Sequence, residues 1–220
     1  AGFANMLDWA LRMVLLIAAP AAVGLFLLAG PMLTTIFYGG QFGADDVAMA
    51  TLSLMAYAAG LLGFTLVKVL VPGYFARQNT KTPVRIGIIA LLANMVMNVV
   101  IVLPWYLSGA AGPHAGLAVA TSISAFLNAG LLYRGLRREG VLVHSPGWGR
   151  FLVRIVVACS VMAMLLNYFV PPAAAWLEAD FWRTCYWLGG AVFGGAAAYL
   201  GVLFAMGVRP SELRLQPPAV

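Results

Sequence analysis

The chain has 220 residues, of which 63% are hydrophobic and only 9% charged, with 13 bases against 7 acids and a net charge of +6. A soluble domain carries about 25% charged residues, so this composition excludes an ordinary globular fold and points to a protein built for a bilayer. The positive charge is not a nucleic-acid footprint, because the bases are spread over several short connections where anionic lipid headgroups are the nearer partner.

Six apolar stretches follow in chain order, at 11–32, 47–75, 84–107, 115–133, 151–170 and 186–206. A helix needs about 20 residues to cross hydrocarbon, whereas a spanning strand needs only about 10 of alternating polarity, so six transmembrane helices are predicted. Pro20 lies inside the first stretch, where its missing amide should kink the helix. Pro72 acts likewise late in the second, and Pro104 should close the third. In the sixth, Gly190 and Gly194 are four apart, a spacing that suits packing against the fifth. Trp105, Tyr106, Trp176 and Trp182 are expected at the membrane boundary, where aromatic belts form. Cys159 falls mid-span and Cys185 at a span's edge, a depth difference beyond the roughly 7 Å that a disulfide tolerates. The tail 211–220, with Pro217 and Pro218, is expected to fray. The first apolar run is too long for a signal peptide, and a chain opening on Ala1 directly ahead of a span suggests that a segment precedes it.

The charges alternate by side. Arg77, Lys81 and Arg85 follow the second span; Arg134, Arg137, Arg138, Arg150 and Arg154 surround the connection after the fourth; Arg209 and Arg214 follow the sixth. The intervening connections hold Asp45, Asp46, Glu178 and Asp180, with Arg183 as their only base. By the positive-inside rule the even-numbered connections and both ends of the chain face the cytoplasm, together with Asp8, Arg12, Glu139 and Glu212.

Polar residues concentrate in the second to fourth spans. Asn94 and Asn98 share one helical face, as do Thr121, Ser124 and Asn128, and the two stripes are expected to meet. Interhelical glue at about 0.6 kcal/mol per contact explains them as well as a hydrated cavity or cation site does. Lys68, the one base left over, has Tyr57 eleven residues back on the same face. An intramembrane charge is a functional candidate, but this side chain could equally snorkel to the boundary about 9 Å away. His114 and His144 sit in connections without a ligand pattern. Metalloprotease, serine-hydrolase and phosphate-loop signatures are absent, and no carboxylate lies inside a predicted span, so catalysis is not expected.

The segment KVLVPGYFARQNTKTPV (68–84), the span ending at Asn98, GLAVATSISAFLN (116–128), the earlier AGPMLTTIFYGGQFGADD (29–46) and LLYRGLRREG (131–140) together closely resemble the bacterial lipid II flippase family, MurJ or MviN. The resemblance covers most of the chain. It implies an all-α integral membrane protein, the C-terminal part of a fourteen-helix MurJ-like (MATE-like) transporter, at helices nine to fourteen. Residues 1–140 would be the last four helices of the second lobe, and 141–220 the final helix pair with a short tail. It further implies transport of undecaprenyl-diphosphate-linked peptidoglycan precursor from the cytoplasmic to the periplasmic leaflet of the bacterial inner membrane by alternating access. The family's cavity arginines belong to helices that this chain lacks, so none is carried over.

Lys68, Tyr57 and Asn128 are candidates for the substrate cavity, and the final pair resembles the part of the family that forms a groove for the lipid tail. Some members bind sodium, and Asn94, Asn98 and Thr121 stand at roughly matching positions, although Asn98 offers an amide where a carboxylate could help. No cofactor is expected besides that ion. The expected partners are lipid II, membrane lipids and cell-wall synthesis proteins. Competing readings are a polysaccharide or multidrug exporter of the same superfamily and a non-transporting scaffold for cell-wall synthesis.

Overall fold

A computed structural model of the chain describes residues 2–107 and 113–208; the tail with Arg209, Glu212 and Arg214 lies outside them. The described residues form α1 (Gly2–Leu27), α2 (Ala29–Phe37), α3 (Ala44–Phe75), α4 (Lys81–Met97), a π-helical turn (Asn98–Val102), α5 (Leu103–Leu107), α6 (Pro113–Arg138), α7 (Trp148–Phe169), α8 (Ala173–Glu178) and α9 (Phe181–Ala205). Six of the resulting rods, with α4, the π turn and α5 counted as one, are long and apolar enough to cross a membrane. The chain is a multi-pass membrane protein.

Local signals set the ends. Asp46 reaches back to accept the Gly43 amide at 2.9 Å, and with Asp45 it puts negative charge at the positive end of α3. Asn79 accepts the Thr82 amide at 3.1 Å and starts α4. Gly140, Gly147 and Gly207 take positive φ at the end of α6, the start of α7 and the end of α9.

α1 runs through Pro20 as one helix, and the first break falls at Leu28. A proline ring clashes with the carbonyl four residues back, so Pro31 disturbs the helix at Leu27. The carbonyl that Pro20 leaves without a helical donor belongs to Leu16, and the Tyr199 hydroxyl of α9 donates to it at 2.8 Å. Pro104 does not close the third span. Its clash point is Val100, and the helix widens into the π turn around that residue before continuing to Leu107.

Neighbours run α4, α6, α3, α1, α7, α9 across the structure, with α6 between α3 and α4. α3 and α6 are parallel and approach closely through Gly60 and Gly63: a β-carbon on Gly60 would stand 2.7 Å from Ser122 Cβ, and one on Gly63 2.9 Å from the Ala125 carbonyl carbon. Two apolar cores result. One joins Leu7 and Leu11 of α1 to Leu70 and Tyr74 of α3 and Leu132 and Leu136 of α6. The other joins Phe151, Ile155, Ala158 and Met162 of α7 to Tyr199 and Leu203 of α9. Trp148 packs against both.

Candidate functional site

Above their contact through Tyr199, α1, α7 and α9 part to leave a groove of about 470 Å³, walled by Ile17, Pro20, Gly24, Leu166, Val192 and Ala196 among others. No charged side chain lines it. Pro20 and Gly24 on α1 and Gly195 and Ala196 on α9 carry little or no side chain there, which opens the space. Gly190 and Gly194, expected to bring α9 against α7, meet no neighbour within 4 Å and border a second groove of about 460 Å³ with Leu165 and Phe169. The close approach is made one residue on, where a β-carbon on Gly195 would stand 3.3 Å from Leu166 Cδ2. Trp176 also departs from expectation: it is 1% exposed, donates to the Pro171 carbonyl at 3.1 Å and stacks edgewise on Trp187, whereas Trp182 lies open at 78%.

The polar stripes meet in part. Asn94 Nδ2 lies 3.4 Å from Thr121 Oγ1, Asn98 Nδ2 donates to Asn94 Oδ1 at 3.2 Å, and Ser124 donates to the Ala90 carbonyl of α4 at 2.8 Å. The carbonyl oxygens of Asn98 and Asn128 are buried without a protein partner. They do not share a site. With α4 antiparallel to α6 and Asn94 level with Thr121, Asn98 lies one turn toward the outer end and Asn128 two turns the other way, roughly 16 Å apart along the axis. Thr121 Oγ1 also donates to the Leu117 carbonyl at 2.8 Å. Asn94, Asn98 and Thr121 thus offer neutral oxygens around one turn, next to the widened π turn, and no group of three or more His, Cys, Asp or Glu occurs among the described residues. Amide and hydroxyl oxygens of this kind fit a hard monovalent cation as part of a coordination shell, although they do not complete one.

Tyr57 and Lys68 both lie on an exposed face of α3, with Tyr57 44% exposed. Among the described residues, no helix buries Lys68, which is exposed.

One site went unread in the sequence. Asp8, 3% exposed, gathers residues from far along the chain. Trp148 Nε1 donates to its Oδ1 at 2.6 Å, His144 Nδ1 stands 3.1 Å from the same oxygen, and Ser145 Oγ donates to Oδ2. Arg12 Nε lies 3.4 Å from Oδ2 as an ion pair. The carboxylate only accepts, so His144 donates to it from Nδ1, while His144 Nε2 lies 2.5 Å from the Tyr133 hydroxyl. Arg12 and Asp8 at i and i+4 were the only local hint, since His144 stands 136 residues away.

Comparison with known proteins agrees with this architecture. A family model described as Lipid II flippase MurJ matches residues 2–185. A probable lipid II flippase MurJ of Vibrio cholerae is 45% identical over 215 residues, covering 97% of this chain, and that of Haemophilus influenzae is 43% identical over 211. A solved structure titled lipid II flippase MurJ, inward closed conformation, superposes with a TM-score of 0.74 at 22% identity over 91% of this chain. The chain spans 39% and 40% of the length of the two relatives. With most of its length matched at this identity, the chain belongs to the lipid II flippase MurJ family.

Proposed function

We propose that this chain is part of a lipid II flippase and that the groove between α1, α7 and α9 holds the hydrocarbon tail of the substrate. In this reading the whole protein moves undecaprenyl-diphosphate-linked peptidoglycan precursor across the bacterial inner membrane by alternating access, as a transporter and not a catalyst. The arginine-rich end faces the cytoplasm, and the chain corresponds to helices nine to fourteen, with 1–140 in the second lobe and 141–220 as the final pair. A diphosphate-sugar headgroup cannot enter hydrocarbon unaided, because burying its charge costs many kcal/mol. The headgroup therefore needs a polar path, while the tail gains by remaining in an apolar one. The observation that carries the reading is the uncharged lining of that groove, in a chain belonging to this family.

Lys68, Tyr57 and Asn128 are proposed to face the headgroup path. Two of them lie on an exposed face of α3, and the third has an unpartnered carbonyl oxygen. Sodium would be held by Asn98 Oδ1 with Asn94 Oδ1 and Thr121 Oγ1, the rest of its shell coming from water or from residues outside this chain. Lipid II, the surrounding lipids and cell-wall synthesis proteins are the proposed partners.

The test is a chimera in which residues 1–220 replace the matching segment of the Vibrio cholerae relative, assayed for growth after depletion of the resident flippase. Gly24→Trp, at a site with nothing within 4 Å of a β-carbon, fills the groove without disturbing the packing and should abolish rescue. Rescue by Gly24→Trp at normal protein level removes the groove from the mechanism. Failure of the parent chimera at normal protein level removes the flippase reading itself.

A further inference from the structure

We infer that the Asp8 cluster is a latch: it ties the 141–147 connection and the start of α7 to α1, and its opening lets the α7–α9 hairpin swing and changes the width of the apolar groove. Three observations carry it.

First, the cluster draws on four separate places in the chain. Asp8 and Arg12 come from α1, Tyr133 from α6, His144 and Ser145 from the connection, and Trp148 from α7. Arg12 Nη2 also donates to Ser145 Oγ at 2.7 Å and lies 3.3 Å from the Ser145 and Pro146 carbonyls, so one guanidinium grips the backbone of the strap. The Trp148 ring packs 4.7 Å from His144 and 5.9 Å from Phe151, with the Arg12 guanidinium over it at 5.3 Å. Most of these contacts converge on one buried carboxylate. Charge-assisted hydrogen bonds are about twice as strong as neutral ones, and removing their shared acceptor strands several donors together.

Second, past Leu142, whose side chain is buried in the core shared by α1, α3 and α6, the strap is largely exposed. Gly147 enters α7 at φ 95° with no side-chain cap, and Val143, Ser145 and Pro146 are exposed. Backbone bonds from Val141 and Leu142 to the Leu136 carbonyl anchor only its first two residues.

Third, the latch lies at the end of α1 from which the groove opens. Between them the Tyr199 hydroxyl of α9 donates to the Leu16 carbonyl of α1. From there α1 and α9 separate along Ile17, Pro20 and Gly24 on one side and Val192 and Ala196 on the other. At the far end of the groove α2 packs against α8 and α9, so the hairpin is held on both sides of the groove, and with the latch open it turns about that outer contact. This follows whatever the groove contains, so it stands apart from the choice of substrate.

The experiment uses the full 220-residue chain in lipid nanodiscs, with spin labels at Ile17 and Val192 across the groove and amide exchange followed along the chain. The parent should give one narrow distance distribution. Asp8→Ala should broaden it or add a second population, and should speed exchange in 141–150 about tenfold or more while α3 and α6 keep their protection. If Asp8→Ala loses protection everywhere, His144→Phe decides the matter. It keeps the aromatic contact with Trp148, removes two hydrogen bonds, and should give the same local effect in weaker form. An unchanged label distance with unchanged exchange in the strap in a folded variant overturns the latch. So does faster strap exchange without any change across the groove, because the strap would then be a local tie that does not steer the hairpin.

Discussion

At the scale of single residues, the structure turns on groups whose partners lie far away in sequence. The Tyr199 hydroxyl serves the Leu16 carbonyl that Pro20 leaves open. Tyr199→Phe should therefore strand a buried acceptor and cost about 1–3 kcal/mol, read as a lower unfolding midpoint in detergent, with Tyr186→Phe as a neutral control on an exposed ring. No change on Tyr199→Phe would mean that Pro20 imposes no debt on α1. Gly60 makes the opposite case. A β-carbon there meets Ser122 Cβ at 2.7 Å and Cα at 2.9 Å, and the backbone cannot turn aside. Gly60→Val should force α3 and α6 apart and destabilise the protein by about 1–3 kcal/mol or more, whereas Gly201→Ala, facing open space, should be neutral or slightly stabilising. Thermal unfolding of the two variants side by side checks this.

At the scale of elements, the π turn at Asn98–Val102 is a departure from α geometry within a membrane rod. Pro104 accounts for it through its clash with Val100, and it begins at Asn98, whose amide donates to Asn94 while its own side-chain carbonyl oxygen is unpartnered. As interhelical glue, that amide is worth about 0.6 kcal/mol, so Asn98→Leu should leave stability nearly unchanged at any salt. As a cation ligand, its loss should remove a sodium-specific rise in unfolding temperature that the parent shows over potassium and that Asn98→Asp retains or enlarges. Measuring the three proteins in sodium and in potassium separates the accounts. Equal midpoints for the parent in both salts leave packing as the whole role of the stripe.

At the scale of the whole molecule, the arginines gather at one end. Arg77 pairs with Glu139 at 3.1 Å there, joining α3 to α6, and Arg12 grips the strap beside it. Asp45 and Asp46 begin α3 at the other end. If the positive-inside rule sets the orientation, single cysteines at Asn79 and Gly147, in a background with Cys159 and Cys185 replaced, should be shielded from an impermeant thiol reagent in intact cells, while one at exposed Gln41 should react. Labelling at Asn79 from outside would invert the assignment.

The sequence by itself determined the number of membrane rods, their approximate limits and the grouping of their charges, because hydrocarbon thickness and the cost of buried charge act on each segment separately. It also carried the family, through ordered motifs over most of the chain. It grouped Asn94 with Asn98 and Thr121 with Ser124 and Asn128 as two stripes, which meet in part through Asn94 and Thr121, since helical spacing defines a face before any packing occurs. Only the tertiary structure decided what depends on two distant segments at once. Asp8 reads as one more surface acid until His144, Ser145 and Trp148 close over it. The carbonyl that Pro20 leaves open finds its donor, Tyr199, only in the fold, and Pro31 disturbs the helix just ahead of the break at Leu28. Gly190 and Gly194 had the right spacing for contact, yet Leu166 meets Gly195, because the rotation of α9 about its own axis is set by the side chains it packs against and not by the period of its glycines.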